Sequence, residues 1–188
     1  MTREDIGWRP TKEEVAAAAG RTIADVTGSR LRVLFVGINP GLYSGATGHH
    51  FAGPSNRFWR ALRGAGFTPR ELSPHEEGNL LGLGLGITNL VERTTAGAAE
   101  LDDQELRQGA ERLRPKVERW EPGWVAFLGI GAYRTAMGMP KATIGEQGER
   151  FGGARVWVLP NPSGLNAHYR LEDLIERFAE LRAATRGS

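Results

Sequence analysis

Two asparagines, Asn39 and Asn161, are the residues whose type and placement could do chemistry. Each is followed by proline, and each comes just after an apolar run that reads as a buried strand. In an open α/β sheet, ligands bind beyond the carboxyl ends of the strands. An Asn in such a turn can simply cap it, but the repetition of the pattern favours a functional amide. A neutral amide both donates and accepts hydrogen bonds, so it could orient a water or bind the edge of a flat heterocycle.

The other polar residues expected at these strand ends are amides, hydroxyls and two histidines, with no lysine and no carboxylate except Glu92. Phe51 could stack on a heterocycle. Leu165 fits no core pattern and could act as a wedge between stacked bases. Such parts together indicate an enzyme that extracts a base from DNA. The full candidate set is Asn39, His49, His50, Phe51, Asn89, Thr94, Thr95, Asn161, Ser163, Leu165 and Asn166.

Several kinds of site are excluded or disfavoured. The chain has no cysteine, which excludes disulfides, thiolate catalysis and cysteine-ligated metals. Ser163 lies in no nucleophile-elbow pattern, and the adjacent His49 and His50 make a poor metal site. Residues 82–86 (GLGLG) fail the dinucleotide fingerprint, because Ile87 replaces the third glycine. We therefore expect neither a metal nor a cofactor.

Length and composition indicate an ordinary globular protein. With 188 residues, 40% of them hydrophobic and 24% charged, residues 1–188 are expected to form one domain. No apolar run approaches the ~20 residues that span a bilayer, and residues 1–5 lack the apolar core of a secretory signal. We expect a cytoplasmic protein, associated with the nucleoid through DNA. The net charge is only +2, and the excess of Arg over Lys suits phosphate binding but also follows from a GC-rich coding bias.

Strand and helix patterns alternate along the chain. Residues 1–10 are predicted to be a flexible lead-in, and residues 38–54 a long glycine-rich loop. Strands are predicted at about 31–37, 87–91, 124–128 and 156–159. Helices are predicted at about 11–19, 56–63, 73–81, 102–117 with a kink or break near Pro115, after Gly129, and at 171–181. This alternation predicts an α/β fold, a three-layer helix–sheet–helix sandwich around a mostly parallel four-stranded sheet whose strand ends open on one edge.

Five motifs in this order resemble those of the mismatch-specific uracil–DNA and thymine–DNA glycosylases. They are GINPGL at 37–42, GHHF at 48–51, NRFW at 56–59, TNLVERTT at 88–95 and NPSGL at 161–165. The resemblance covers roughly residues 31–182 and implies the uracil–DNA glycosylase fold. It also implies removal of uracil from mismatched duplex DNA, with thymine or other damaged pyrimidines as further substrates.

Specific roles follow from this resemblance. Asn39 matches the amide that positions a water, Thr95 the second group that holds it, and Phe51 the ring that stacks on the flipped base. Main-chain groups near Ile38 and Phe51 would read the base edge, and His50 and Asn89 match polar neighbours of the base pocket in the thymine-active branch. Asn161 matches the base-binding position of the second motif. Residues Gly164, Leu165 and Asn166 match the loop that fills the duplex and contacts the widowed base. After Leu165 the bacterial pattern continues Ser-Arg, whereas this chain has Asn166-Ala167, which leaves the reading of an opposite guanine open.

Phosphate contacts are expected from Arg57, Arg60, Arg93 or Arg170 and from Ser163; for each arginine the alternative is a solvated surface side chain. The three lysines, at positions 12, 116 and 141, lie outside the motifs, which predicts a monofunctional enzyme without a Schiff-base step. The expected partner is duplex DNA with a G·U or related mismatch, and the expected state is a monomer away from membranes. Two alternatives remain: a non-catalytic α/β protein that binds a nucleotide or nucleic acid, and a hydrolase of free nucleosides, against which the wedge-like Leu165 argues.

Overall fold

A central five-stranded sheet organises the molecule, and the computed structural model describes residues 9–186. The strand order is β2-β1-β3-β5-β4; the first four are parallel and β4 is antiparallel. The bounds are β1 Val33–Gly37, β2 Leu85–Asn89, β3 Trp124–Leu128, β4 Gly145–Phe151 and β5 Ala154–Leu159. The α/β fold is thus as predicted, but the sheet has five strands instead of four. The additional strand, β4, has the polar sequence GEQGERF and lies at an exposed sheet edge, so it carries no buried-strand pattern.

Helices cover both faces of the sheet. The helices are α1 Lys12–Ala16, α2 Leu42–Thr47, α3 Phe58–Gly64, α4 Asp103–Trp120, α5 Ile130–Met137 and α6 Leu171–Ala184, with 3-10 helices at Pro74–Leu83 and Ala98–Glu100. Strand residues alternate between the two faces. Leu34, Val36 and Phe127 pack on the side of α4 and α5. Phe35, Ala126 and Leu159 pack on the side of α3 and α6. This gives the predicted three layers.

Local differences from the predicted elements have physical reasons. The loop predicted over 38–54 contains α2, whose six residues are too few for an amphipathic pattern. The second strand lies two residues earlier than predicted, because Leu85 and Gly86 belong to it and Leu90 and Val91 do not. Helix α4 runs through Pro115 without a break, since Leu113 and Val117 on either side are buried against the sheet.

The amino-terminal segment begins with the predicted capping box. The Glu14 N–H donates to Thr11 Oγ1 (3.2 Å), and the Thr11 N–H donates to Glu14 Oε2 (2.9 Å). The helix ends at Ala16, earlier than expected. Residues 1–8 of the predicted lead-in lie outside the described part of the chain. Within residues 9–186, no helix is long and apolar enough to cross a membrane.

Candidate active site

A cavity of about 440 Å³ opens at the carboxyl edge of the parallel strands. It collects residues from the loops that follow β1, β2 and β5, as the sequence predicted, so Asn39 and Asn161 line one cavity. The other predicted residues that line it are Ile38, His50, Phe51, Asn89, Thr95, Ser163, Gly164 and Leu165. A volume in this range suits one small planar ligand group.

The side-chain amide of Asn39 has a fixed orientation. Its Nδ2 donates to the Arg93 main-chain oxygen (3.0 Å) and to Thr95 Oγ1 (2.7 Å). Because a main-chain carbonyl can only accept, the NH2 group must face Arg93. The Oδ1 atom therefore lies on the other side, and within residues 9–186 no hydrogen bond reaches it. The cavity thus contains an oriented acceptor that could hold a water.

Thr95 supports this orientation. Its hydroxyl accepts from Asn39 and donates to the Gly97 carbonyl (2.9 Å), while the side chain is only 2% exposed. The main-chain N–H of Thr95 also donates to the Pro40 carbonyl (3.2 Å), which ties the loop after β2 to the Asn39 turn. Since the hydroxyl proton is already used, Thr95 could contact a water only as an acceptor.

Phe51 provides an aromatic wall. Its ring lies against the buried ring of Phe58, with centroids 4.1 Å apart and planes at 30°. The residue has a positive φ of 52°, which is uncommon for a non-glycine residue and marks a constrained backbone. Within the described residues its main-chain N–H has no hydrogen-bond partner, so that donor is available to a ligand. The side chain of Phe51 is half-buried and lines the cavity, so the ring at the predicted stacking position is not sealed in the core.

Gly37 makes room for this arrangement. A Cβ at this position would lie 2.4 Å from Asn89 Oδ1 and 3.3 Å from the Phe51 ring. The φ of Gly37 is not in the left-handed region, so this position does not require the backbone freedom of glycine. Its contribution is the absence of a side chain at a close approach.

His50 and Asn89 form a buried polar pair. The His50 ring is 1% exposed, and its Nε2 lies 2.9 Å from the Ala24 carbonyl oxygen, so Nε2 carries the proton. Nδ1 then accepts from Asn89 Nδ2 at 3.3 Å. Burial lowers the pKa of His50 despite the nearby Glu77 carboxylate, and the imidazole stays neutral. One Asn89 N–H is thus committed to His50, which leaves its second N–H and its Oδ1 for a ligand.

Asn161 stands where the loop after β5 begins. Its Oδ1 accepts from the Ser163 N–H (3.0 Å), an Asx-type turn that leaves the NH2 group as a donor toward the cavity. Further along the loop, Leu165 is 82% exposed, the most exposed of the large apolar side chains in the described residues. Its N–H donates to Ser163 Oγ (3.2 Å). A projecting leucine beside a cavity is the geometry expected of a wedge.

Two of the arginines that were expected to contact phosphate, Arg57 and Arg93, have partners within the protein. The Arg57 guanidinium donates to main-chain carbonyls of residues 162–169. Arg93 pairs with both carboxylate oxygens of Glu105 at 2.6 and 2.9 Å, and this pairing holds the pKa of Glu105 down at about 2. Both cations are therefore engaged within the protein. For Ser163, the hydroxyl proton has no partner among the described residues, so a phosphate contact is compatible with its position.

One residue that supports the site, Glu77, was not predicted from the sequence. Glu77 accepts from the His50 N–H (2.8 Å) and pairs with His49 Nδ1 (3.0 Å), which fixes the segment that carries Phe51. Glu77 lies in the 3-10 helix far along the chain, so no local pattern connects it to the site. Within residues 9–186, no group of three His, Asp or Glu side chains is arranged to hold a metal ion.

Comparison with known proteins decides the family. A family model described as the uracil DNA glycosylase superfamily matches residues 24–184. The chain belongs to this superfamily. Its members are DNA glycosylases, hydrolases that act on N-glycosyl bonds.

The fold agrees with that of a solved structure. The chain is similar to the solution NMR structure of a protein from Methanosarcina acetivorans named as a putative uracil DNA glycosylase, with 18% sequence identity and a TM-score of 0.60. The match covers 87% of this chain and 97% of the archaeal one. At this level of identity the likeness concerns the fold.

Proposed function

We propose that the protein is a monofunctional glycosylase of the mismatch-specific uracil and thymine branch of the superfamily. It would remove uracil paired with guanine from duplex DNA. The observation that carries this proposal is the fixed side-chain amide of Asn39, which lines the same cavity as Phe51 and Asn161 and whose Oδ1 has no hydrogen-bond partner within residues 9–186.

The mechanism follows from the chemistry of an amide. Asn39 is neutral and a poor base, so it cannot remove a proton from water in advance of attack. The bond between the sugar C1′ and the base nitrogen therefore breaks first, and its electron pair leaves with the base as an anion. The water held by Asn39 Oδ1 then attacks the oxocarbenium-like C1′, and its surplus proton passes to solvent or to the departed base. The products are a free base and an abasic site.

Donors around the cavity would stabilise the leaving anion. The Asn161 NH2 group and the Phe51 main-chain N–H both lack partners among the described residues. Preorganised donors that face developing negative charge are among the strongest catalytic contributions. The remaining N–H and the Oδ1 of Asn89 form a donor–acceptor pair that complements the N3–H and O4 edge of uracil, while Phe51 stacks on the ring.

The preference for a mismatch rests on energetics. Extrusion of a base from the helix is least costly when that base is mispaired. Leu165, which projects from the loop after β5, would occupy the space that the extruded base leaves. A G·U pair is therefore expected to be processed faster than an A·U pair.

The lysines support a monofunctional reaction. None of the three lines the cavity, and all three lie within the described residues. Burial lowers the pKa of Lys116, but its hydrogen bonds to Glu92 (2.8 Å) and Asp25 (3.1 Å) outweigh this effect and raise the pKa above its ordinary value. A protonated, paired amine is a poor nucleophile for a Schiff base.

The test uses end-labelled duplexes that carry uracil opposite guanine or adenine, or thymine or hypoxanthine opposite guanine, incubated in EDTA. Alkali then cleaves the strand at abasic sites. We expect cleavage at uracil, faster opposite guanine, and none before alkali. The thymine and hypoxanthine duplexes define the substrate range. Duplex binding without cleavage of any substrate would contradict the proposal and favour a non-catalytic binding protein.

A further inference from the structure

The side chain of Arg57 forms the main connection between helix α3 and the loop that carries Leu165. We call residues 160–170 the wedge loop. Arg57 Nη2 donates to the carbonyls of Ser163 (2.6 Å) and Asn166 (2.9 Å), Nη1 donates to the Tyr169 carbonyl, and Nε donates to the Pro162 carbonyl at 3.4 Å. The main-chain N–H of Arg57 also donates to Pro162 O, at 3.0 Å.

These contacts lie on both sides of Leu165. Pro162 and Ser163 precede it, while Asn166 and Tyr169 follow it, so one guanidinium fixes the two arms of the turn. The loop contains no helix or strand, and Leu165 itself has no support from the core, since its side chain is 82% exposed.

The remaining hydrogen bonds of the loop are short-range. The Asn166 N–H donates to Ser163 O (3.0 Å), and Asn166 Nδ2 donates to Asn161 O (2.9 Å). Such bonds shape the turn but do not attach it to the body of the protein. Gly164 adds close packing: a Cβ there would lie 2.5 Å from the Ser55 Cβ, so the loop lies directly on the segment that precedes Arg57.

We propose that Arg57 is a positioning residue that holds the wedge loop in the shape needed for Leu165 to enter the duplex. This inference rests on the proposed glycosylase function. Arginine suits the role because its planar guanidinium has five donors in a fixed fork. Four of the five are used here, which a lysine ammonium with three donors on a single nitrogen could not reproduce.

The consequence is specific to duplex DNA. In single-stranded DNA a uracil has no base pair to leave and no gap opposite a second strand to be filled, so the wedge contributes little. Loss of the Arg57 contacts should therefore slow uracil release from a duplex and leave release from a single strand unchanged. A general defect in folding or chemistry would reduce both.

Arg57→Met keeps an unbranched side chain and removes every donor, and Arg57→Lys keeps the charge. Arg63→Met is the matched control, because Arg63 is an exposed residue in the last turn of α3, the helix that Arg57 precedes as N-cap, and its loss changes the net charge equally. For Arg57→Met we expect a loss of about tenfold or more on a G·U duplex, as for loss of hydrogen bonds from a charged donor. The rate of release from a single strand should stay within about twofold of the parent rate, which is the agreement expected when a substitution does not affect the measured step. Arg57→Lys should show the same pattern, and Arg63→Met should change neither rate.

A double-mutant cycle with Leu165→Ala separates positioning from other effects. If Arg57 acts through Leu165, Arg57→Met causes no further loss on duplex DNA once the leucine is absent. Equal losses on duplex and single strand, full additivity with Leu165→Ala, or an equal effect of Arg63→Met would overturn the inference.

Hydrogen exchange gives a readout that does not depend on activity. In Arg57→Met the amides of residues 163–169 should exchange faster, with the strand amides of the sheet unchanged. Unchanged exchange in the wedge loop would refute the proposal that Arg57 holds this loop in shape. If the parent protein releases uracil from neither DNA, the proposed function fails, while this measurement still decides the role of Arg57.

Discussion

Thr95→Val tests whether the hydroxyl of Thr95 is needed to orient the side-chain amide of Asn39. Valine has nearly the same shape as threonine but lacks the hydroxyl, which accepts from Asn39 at 2.7 Å and donates to Gly97 at 2.9 Å. Thr95 is 2% exposed, so water has little access to replace either bond. The amide of Asn39 keeps only its hydrogen bond to the Arg93 carbonyl, at 3.0 Å.

The expected magnitudes follow from these two bonds. A net hydrogen bond contributes about 1 kcal/mol, and an unsatisfied buried group costs about 1–3 kcal/mol, so the free energy of unfolding should fall by roughly 1–3 kcal/mol. For catalysis, loss of one of two orienting bonds weakens the hold on the amide by about 1 kcal/mol, or roughly fivefold in rate. Asn39→Ala removes the acceptor itself and should cost more, on the order of 10²–10³ in rate. Thr95→Ser keeps the hydroxyl and should stay near the parent rate.

Single-turnover release of uracil from a G·U duplex, with enzyme in excess, measures the catalytic effect, and thermal unfolding measures the stability. If Thr95 acts only by orienting Asn39, the double variant with Asn39→Ala is no slower than Asn39→Ala alone. A slower double variant would show that Thr95 also holds the water, the role that the family resemblance implies. A parent-like rate for Thr95→Val, or an equal defect in Thr95→Ser, would refute the reasoning.

Three further predictions concern the same site. Gly37→Ala should lower the rate of uracil release by tenfold or more, about the cost of overpacking, because its Cβ would lie 2.4 Å from Asn89 Oδ1; Gly41→Ala, where a Cβ meets nothing within 4 Å, should be close to the parent. Because burial lowers the pKa of His50 below its ordinary value of 6.5, the unfolded state binds a proton before the folded state does as the pH falls. The free energy of unfolding should therefore decrease with falling pH, and less steeply in His50→Gln; equal slopes would contradict this. Borohydride added during the reaction should trap no covalent enzyme–DNA adduct, and a trapped adduct through a lysine would refute the monofunctional mechanism.

The sequence predicted those parts of the fold that carry a strong local pattern. Strand β3 has the predicted bounds, because Trp124–Leu128 is an unbroken apolar run buried on both faces. Helix α4 begins at the predicted cap, since Asp102 accepts from the Glu105 N–H at 2.8 Å. Strand β4 and helix α2 escaped prediction because neither has a periodic apolar face: one is a polar edge strand and the other is six residues long.

The sequence predicted several of the residues that line the cavity, but not the orientations of their side chains. Parallel strands bring their carboxyl ends to one edge, which is why Asn39 and Asn161 could be expected to meet. The side on which the Asn39 oxygen lies depends on the Arg93 carbonyl, a partner distant in sequence. The position of Arg57 could not be predicted for the same reason, because its partners, the carbonyls of the wedge loop, are also distant in sequence.

The most direct test of the central claim compares the parent protein with Asn39→Ala for two quantities: binding to a G·U duplex and release of free uracil from it. The Oδ1 of Asn39, which has no partner in the described part of the chain, should bind the water and not the DNA. We therefore expect binding within about twofold of the parent and a rate of release lower by on the order of 10²–10³. Release at the parent rate by Asn39→Ala would contradict the assignment of Asn39 as the catalytic amide.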